Sequence, residues 1–215
     1  MADRVISIVV LGTTPLAAEV ADVCTVAGYE VAGFVEDVSP ERALEPYAGL
    51  PVHWIDDAAA LAESHLAISG VETGTRPVVV ERATAIGFRF ATVIHPGAYV
   101  PPTTTLGVGS VVGAGAVAAG HTEIGRHVLV ERGSLLGHHT LVGDYSWLQA
   151  GASVAGSSRI GEGVRIGMGA IVIDHVTVGA GSVVAPGAVV VKDVPENVRV
   201  AGVPARIVGS SGSEA

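Results

Sequence analysis

The sequence has little cysteine, few aromatic residues and few basic residues. Cys24 is the only cysteine in 215 residues, which excludes a disulfide within the chain and a metal site built on cysteines. Aromatic residues make up 4% of the chain, so a narrow interior without space for rings is expected. Lysine and arginine number 12 against 21 acidic residues, which gives a formal net charge of −9. Without a basic tract, this balance argues against nucleic acid as the main partner.

Long hydrophobic runs are also missing. Hydrophobic residues make up 49% of the chain, a share that would suit a membrane protein. However, Gly, Asp, Glu and Pro interrupt every apolar run before it reaches the roughly 18 residues of a membrane-spanning helix. Residues 1–4 (MADR) do not open a cationic leader that continues into an apolar segment. We therefore expect a soluble, cytoplasmic protein without membrane contact.

What the sequence does contain is a repeat of six residues. An aliphatic residue recurs at every sixth position, seventeen times in succession: Ile94, Val100, Leu106, Val112, Ala118, Ile124, Val130, Leu136, Val142, Leu148, Val154, Ile160, Ile166, Val172, Val178, Val184 and Val190. A helix repeats near 3.6 residues and a half-buried strand at 2, so neither explains this spacing. A period of six is typical of a left-handed parallel β-helix, in which three hexads form one triangular coil. The aliphatic residue would fill the interior, and a small or β-branched residue four positions later would help the chain to turn the corner.

Residues 1–92 show a different pattern. Buried strands are predicted at 5–11, 31–35 and 66–68, and helices at 16–27 and 75–86. This alternation indicates a small Rossmann-like α/β domain. The predicted organisation is therefore a Rossmann-like domain (1–92), a β-helix domain (93–208) and a flexible tail (209–215).

Loops that follow the predicted strands of the first domain should lie around one crevice, because ligands of such sheets bind at the carboxyl ends of the strands. This places Gly12-Thr13-Thr14, Glu36-Asp37 and Ser69-Gly70 around the crevice. The alternative is that these segments are ordinary connecting loops.

Three segments of the chain resemble a known family. They are 136–145 (LGHHTLVGDY), 191–195 (VKDVP) and 202–206 (GVPAR). Together with the domain order, they resemble the branch of hexapeptide-repeat acyltransferases that contains the bacterial sialic-acid O-acetyltransferases and the nucleotide 4-amino-sugar N-acetyltransferases. The resemblance covers residues 5 to about 208. It implies a homotrimer, acetyl-CoA bound in the groove between neighbouring β-helices, and a histidine as general base.

The chain departs from the family pattern at four places. Its first loop keeps one glycine, Gly12, where the family is usually glycine-rich. His139 stands where an acidic residue often follows the catalytic histidine. Trp147 replaces a second histidine often found nine positions after the base, and Glu131 replaces an asparagine common seven positions before it.

His138 is the residue that the resemblance implies as general base. Residues eighteen apart should lie on adjacent coils about 4.8 Å apart, so His138 is expected in an open slot between Gly120 and Gly156. An imidazole titrates near neutrality, as removal of a proton from an attacking nucleophile requires. The alternative is a solvent-exposed corner histidine. Because His139 replaces the usual acid, Glu131 or Asp144 is expected to orient His138; alternatively, each is a solvated turn charge.

The resemblance also implies positions for the two substrates. Trp147, Gly156, Met168 and Pro186 would line the acetyl-CoA groove, with the Gly156 N–H as donor to the oxyanion. Lys192 and Arg206 would meet the coenzyme A phosphates. Trp147 could equally lie in the trimer interface, and Lys192 could simply lie where the β-helix ends. In the first domain the family's nucleotide contacts fall on Thr14, Pro15, Glu36, Asp37 and Ser69, and the Asp37 carboxylate is suited to a ribose or base.

Three hypotheses of function follow. The first is an acetyl-CoA-dependent N-acetyltransferase of a nucleotide-linked amino sugar, with a histidine general base. The second is an O-acetyltransferase of sialic acid or a related sugar, and the third is a catalytically idle trimeric β-helix that binds a ligand or serves as a scaffold. The line of His121, His139, Ser157 and His175 at successive coils could hold a metal ion, but no family resemblance supports this, and no metal is predicted.

Overall fold

The computed structural model describes residues 6–212. The chain divides into two compact units between Pro96 and Gly97. The predicted domain boundary at residue 92 lies four residues earlier. Each unit has its own hydrophobic core.

The first unit is an α/β domain with a five-stranded parallel sheet in the order β3-β2-β1-β4-β5. Its elements are β1 (Ser7–Leu11), α1 (Pro15–Val26), β2 (Glu30–Glu36), β3 (Val52–Trp54), α2 (Ala59–Ala62), β4 (Leu66–Ser69), α3 (Arg76–Ala85), β5 (Arg89–Phe90) and β6 (Val93–Ile94), with 3-10 helices at Pro40–Leu44 and Ile55–Asp57. The helices and strands predicted from the sequence are all present, with bounds within the described residues shifted by one residue. Residue 5, the predicted start of the first strand, lies outside the described residues. The short strands β3 and β5 were not predicted.

Local sequence explains how the central part of this unit forms. Ile8, Val9, Val10 and Leu11 of β1 are each at most 1% exposed, as expected for a parallel strand covered on both faces. Helix α1 begins at Pro15, whose missing N–H is not needed at the first helical position. The Thr14 hydroxyl caps it by accepting from the Ala17 N–H at 3.3 Å.

The second unit is the predicted left-handed parallel β-helix, with strands of two residues on three faces. Strands are paired with a shift of eighteen residues, for example Glu123 with Leu141 and Leu135 with Ser153. The first face carries β7 (Thr105–Leu106), β10 (Glu123–Ile124), β13 (Leu141–Val142), β16 (Arg159–Ile160) and β19 (Thr177–Val178). The second face carries β8 (Val111–Val112), β11 (Leu129–Val130), β14 (Trp147–Leu148), β17 (Arg165–Ile166) and β20 (Val183–Val184). The third face carries β9 (Val117–Ala118), β12 (Leu135–Leu136), β15 (Ser153–Val154), β18 (Ile171–Val172) and β21 (Val189–Val190).

The sixfold repeat fills the interior as predicted. From Val112 to Val190 every member of the series is at most 4% exposed. Val100 and Leu106 are only partly buried against this core, since the first coil has a neighbouring coil on one side only. Ile94 differs from the prediction because it lies in the first unit and is 40% exposed.

Buried hydroxyl groups explain why serine and threonine recur at the corners. The Ser110, Thr122, Ser134 and Ser146 hydroxyls each donate to a backbone carbonyl fifteen residues further on, at 2.7 to 3.0 Å. A buried carbonyl without a partner would cost free energy, so each hydroxyl stabilises the corner of the next coil. The small size of serine and threonine, which the sequence analysis gave as the reason for their positions, is therefore only part of the explanation.

The β-helix ends in an antiparallel hairpin that the repeat did not predict. It consists of β22 (Val198–Gly202), which pairs with β20, and β23 (Ala205–Ser210). Strand β23 includes Gly209 and Ser210, the first two residues of the segment predicted to be a flexible tail. Residues 213–215 of that segment lie outside the described residues.

Candidate active site

His138 lies at the corner of the β-helix between β12 and β13. The Ser157 N–H donates to the His138 carbonyl at 2.8 Å, and the His139 N–H donates to the Gly120 carbonyl at 3.2 Å. The His138 side chain is exposed. A rigid backbone therefore presents this imidazole to solvent, as the function of a general base requires.

Two further histidines form a cluster with it. The His138 Nδ1 lies 3.1 Å from the His139 Nδ1, with the two rings nearly perpendicular at 83°. The His139 ring also stacks on His121 of the preceding coil, with ring centroids 4.9 Å apart. Within residues 6–212 no group of three or more His, Cys, Asp or Glu side chains has the arrangement of a metal site.

Gly156 determines where the His138 ring lies. A Cβ atom at Gly156 would lie 2.9 Å from the His138 Cε1 and 3.0 Å from its Nε2. The ring therefore occupies the space above Gly156, which the sequence prediction had left open for substrate. A Cβ at Gly120, on the preceding coil, would meet only the Thr103 hydroxyl, at 3.1 Å. Among residues 6–212 no backbone carbonyl accepts from the Gly156 N–H, so this donor is available to a ligand.

The carboxylate of Glu131 is held by two donors. Its Oε1 accepts from the Trp147 indole at 2.7 Å, and its Oε2 accepts from the Ala150 N–H at 2.8 Å. Glu131 is half-buried and Trp147 is 6% exposed, so the alternative of a solvated turn charge is wrong for Glu131. Glu131 and Trp147, two of the four positions that depart from the family pattern, therefore contact each other.

Asp144, the other candidate partner of His138, forms an ion pair with Arg126. Its two oxygens accept from the Arg126 backbone N–H at 2.8 Å and from its Nε at 2.9 Å. The side-chain hydrogen bond raises the pKa of Arg126. The Asp144 carboxylate thus connects two adjacent coils through Arg126 and does not orient His138.

We expect Glu131→Gln to lower the stability of the protein. An amide has a single acceptor oxygen, so its NH₂ group would face one of the two donors that the carboxylate now accepts from. The expected loss is about 1–3 kcal/mol of unfolding free energy, as for a buried donor left without a partner. Urea unfolding followed by tryptophan fluorescence measures it.

Glu123→Gln is the matched control, because Glu123 is an exposed glutamate on β10. It should change the unfolding free energy by less than about 0.5 kcal/mol. If Glu131→Gln is equally neutral, the carboxylate is not needed to hold Trp147. If the acidic limb of the pH–rate profile of Glu131→Gln moves to lower pH, Glu131 orients His138. If the substitution raises the KM of an amine far more than the KM of an alcohol, Glu131 binds the ammonium group of the substrate.

The predicted acetyl-CoA residues do not lie together in one protomer. Trp147 lies in β14 of the second face and is 6% exposed, and Gly156, Met168 and Pro186 lie on two different corners. Met168 and Pro186 are exposed at the corner before the third face, one coil apart. Gly156 and His138 lie at the corner after that face. Because β15 and β18 are adjacent parallel strands, the width of the third face separates the two pairs within one protomer. Lys192 and Arg206 line a common cavity of about 430 Å³ near the hairpin.

In the first unit, the carboxyl ends of β1, β2 and β4 meet as predicted. The Gly12 N–H donates to the Val35 carbonyl at 2.7 Å, and the Thr14 hydroxyl donates to the Gly70 carbonyl at 3.2 Å. Gly12 has a φ of 98°, and a Cβ there would lie 2.5 Å from the Val71 Cγ1. Gly70, at the end of β4, is equally restricted, because a Cβ would lie 2.5 Å from the Ala17 Cα.

Two of the predicted substrate residues point inward. Glu36 is 1% exposed, and its carboxylate accepts from the Thr13 hydroxyl and from the Val38 N–H, the latter at 2.8 Å. Ser69 is also 1% exposed, and its hydroxyl has no hydrogen-bond partner within residues 6–212. Glu36 thus orders the loop after β2, and a role for either residue in substrate binding stays a prediction.

Asp37 and Pro15 are more accessible. Pro15 is exposed at the start of α1, and Asp37 is partly buried. Burial raises the pKa of the Asp37 carboxyl, and the negative charge of Glu36 raises it further. A cavity of about 450 Å³ adjoins the Thr13 loop and is lined by Arg42 and Tyr47 among others. The sequence analysis missed these two residues because they lie in a segment without a repeat or a strand pattern.

The described residues give two further findings, one on the cysteine and one on membrane-spanning helices. Burial raises the pKa of the Cys24 thiol to about 12, so this group is not a nucleophile at neutral pH. None of the helices in residues 6–212 has the length and apolar character needed to span a bilayer.

A coiled β-helix of hexapeptide repeats that presents a histidine beside an N–H donor defines a hexapeptide-repeat transferase. The sequence matches the family model "Bacterial transferase hexapeptide (six repeats)" at residues 157–192. No curated protein matches the sequence significantly.

Solved structures match nearly the whole chain. PerB from Caulobacter crescentus, solved with CoA and GDP-perosamine, is 30% identical, with 96% of this chain and 99% of that chain covered and a TM-score of 0.87. The acetyltransferase domain of PglB from Neisseria gonorrhoeae, solved with acetyl coenzyme A, is 31% identical, with 95% and 100% covered and a TM-score of 0.87. WeeI from Acinetobacter baumannii shares the fold, with 23% identity, 95% and 100% coverage and a TM-score of 0.85.

The chain belongs to the hexapeptide-repeat acyltransferase family, in the branch predicted from the sequence. The predicted fold, the family and the assignment as an acetyltransferase are thereby confirmed.

Proposed function

We propose that this protein is an acetyl-CoA-dependent N-acetyltransferase that acts on the amino group of a nucleotide-linked amino sugar. The observation that carries the proposal is its similarity, over nearly the whole chain, to PerB solved with CoA and GDP-perosamine. Both units of the chain lie within the matched length. A cytoplasmic location stays a prediction.

The corner at His138 supports a direct transfer. The neutral amine attacks the thioester carbonyl of acetyl-CoA while the His138 Nε2 takes the proton from nitrogen. The Gly156 N–H donates to the oxyanion of the tetrahedral intermediate. The carbon–sulfur bond then breaks, an amide is formed, and the proton on His138 passes to the coenzyme A thiolate. Two solved variants of the perosamine enzyme, in which one histidine is replaced by asparagine or alanine, hold both CoA and GDP-perosamine.

Thiol release from acetyl-CoA tests the proposal. GDP-perosamine and a panel of GDP-, UDP- and dTDP-linked amino sugars serve as acceptors, and the corresponding hydroxyl sugars on the same nucleotides serve as matched controls. We expect thiol release with at least one amino sugar and none with its hydroxyl counterpart. Release with hydroxyl acceptors only would favour the O-acetyltransferase, and release with neither would favour the idle β-helix.

The position of the site residues supports a homotrimer. Met168 and His138 lie at opposite edges of the third face, so one protomer alone does not bring the two groups of residues together. The same face exposes large aliphatic side chains, with Leu135 46% exposed and Ile171 43% exposed. A neighbouring protomer would cover these side chains. It would also place its own Met168 corner beside the His138 corner of the first protomer.

We therefore expect light scattering to give three times the chain mass of 21.6 kDa at micromolar concentration. Leu135→Lys together with Ile171→Lys should dissociate the trimer and abolish turnover, because both charges would be buried in the interface. Val78→Lys is the control, since Val78 is 59% exposed on α3 of the first unit. A monomeric wild-type protein that still transfers acetyl groups would contradict a site shared between protomers.

Asp37 should make nucleotide binding sensitive to mild acid. Its carboxylate accepts hydrogen bonds from a ribose or base more strongly when ionised. Its raised pKa means that it is protonated at a higher pH than an ordinary aspartate. The dissociation constant of the nucleotide should rise as the pH falls through this range. Asp37→Asn should bind more weakly at neutral pH and lose this pH dependence. Calorimetric titration measures both, and an unchanged pH dependence in the variant would assign the effect to another group.

A further inference from the structure

We propose that His139 is a positioning residue that fixes the tautomer of His138 and so directs the basic nitrogen of His138 toward the substrate. The inference deepens the proposed function and rests on it, because it requires His138 to act as the base. It arises from the contact between the two Nδ1 atoms, at 3.1 Å.

In a hydrogen bond between two Nδ1 atoms, one nitrogen carries the proton and the other accepts it. If the His138 Nδ1 carries it, the His138 Nε2 has a free lone pair and can accept a proton from the amine. The His139 Nδ1 then accepts this hydrogen bond, and His139 carries its own proton on Nε2. The opposite arrangement would place the His138 proton on Nε2, where it would block general-base catalysis. In catalytic triads a carboxylate performs this function by holding the imidazole in the correct tautomer.

The ring of His139 is itself held in place. It stacks on His121 at 25° to that ring, and its backbone lies in the left-handed region with a φ of 58°. His121 of the preceding coil and His138 are the titratable groups that contact His139 within residues 6–212. The next coil places Ser157, which is uncharged, at the same corner position. His139 therefore faces no carboxylate, and a neutral acceptor takes the place of the usual acid.

The geometry also explains why the His138 Nε2 is the nitrogen that meets the substrate. The Nδ1 is paired with His139. The Cε1 edge of the ring, with one nitrogen on either side, lies over Gly156, so Nε2 is the nitrogen beside Gly156 that is left for a substrate. The amine and the thioester carbonyl would meet between these two groups. A change at His139 should therefore alter turnover without altering binding of either substrate.

Three variants test the inference by kinetics. His139→Phe retains a ring against His121 but accepts no hydrogen bond, so kcat should fall about 10- to 100-fold, the usual effect of losing a residue that orients a histidine. Both KM values should stay within about twofold of wild type. His139→Glu supplies an acceptor with a charge and should restore most of kcat. Because an opposite charge favours the imidazolium, the acidic limb of its pH–rate profile should move to higher pH.

His175→Phe is the matched control. His175 occupies the same corner position two coils further on, with a φ of 59°, and does not contact the cluster. Its kcat should equal that of wild type. Wild-type kcat in His139→Phe, or a pH–rate profile of His139→Glu that matches that of His139→Phe, would overturn the inference.

The tautomer of His138 provides a measurement that needs no substrate. In protein with isotope-labelled histidine, the ring nitrogen shifts of His138 are assigned by their loss in His138→Asn. We expect the proton on Nδ1 in wild type, and a shift toward the Nε2-protonated form in His139→Phe. A His138 proton on Nε2 in wild type would overturn the inference. Lack of turnover with every acceptor would instead count against the proposed function and leave the tautomer result to stand alone.

Discussion

His138→Asn should lower kcat by about 10²–10⁴-fold, the usual effect of losing a general base. Asparagine fits the exposed corner but does not take up a proton near neutral pH. Because the backbone of this corner is held by hydrogen bonds to both neighbouring coils, the trimer and the affinity for acetyl-CoA should be unchanged. Single-turnover kinetics and calorimetric titration of the coenzyme measure the two effects separately.

His175→Asn is the control for this variant, because it makes the same substitution at an exposed corner histidine away from the cluster. It should retain the wild-type kcat. If His138→Asn also remains within about tenfold of wild type, below the usual range for a lost base, His138 does not take the proton. A loss of coenzyme binding equal to the loss of kcat would assign His138 to binding instead.

Gly156→Ala should lower kcat by about 10²-fold or more, because it displaces the general base, whose loss usually costs about 10²–10⁴-fold. The new methyl group would lie 2.9 Å from the His138 Cε1, so the ring must turn away from its position above this residue. It would also crowd the approach of the thioester to the Gly156 N–H. The three atoms nearest to the methyl group all belong to His138, so the coil itself should fold normally.

Gly120→Ala is the matched control, since Gly120 occupies the same corner position two coils earlier and a methyl group there meets only the Thr103 hydroxyl. Its kcat should change far less. The double variant Gly156→Ala with His138→Asn separates the two functions of Gly156. If the methyl group acts only by displacing the His138 ring, the double variant equals His138→Asn. A further loss would show that the methyl group also hinders the approach of the thioester to the Gly156 N–H. Wild-type turnover in Gly156→Ala would contradict both.

The sequence predicted the β-helix well because its repeat is set by stacking. A period of six with three faces places residues eighteen apart on adjacent coils, and the pairing of Leu135 with Ser153 follows this rule. The proximity of His138 to Gly156 could therefore be predicted by counting. The hairpin of β22 and β23 could not, because the repeat stops at Val190 and an antiparallel pair has no hexad.

Contacts that depend on side-chain rotamers could not be read from spacing. Glu131 and Trp147 are sixteen residues apart, so they lie diagonally on adjacent coils, and only their rotamers bring the carboxylate to the indole. The contact between His138 and His139 likewise depends on ring orientation. In the first unit, Gly33 to Glu36 of β2 are all buried, because the sheet is covered on both faces. The strand therefore has no alternation of buried and exposed residues from which the inward direction of Glu36 could be predicted.

The position of the acetyl group in the product is the most direct test of the proposed function. Wild-type protein is incubated with acetyl-CoA and a nucleotide-linked amino sugar that also carries free hydroxyl groups, such as GDP-perosamine, and the purified product is examined by NMR. We expect one acetyl group on the sugar nitrogen as an amide, one coenzyme A released for each amide formed, and about 10²–10⁴-fold slower formation of this product with His138→Asn. An ester on a sugar oxygen, or an unmodified sugar with every acceptor of the panel, would contradict the account.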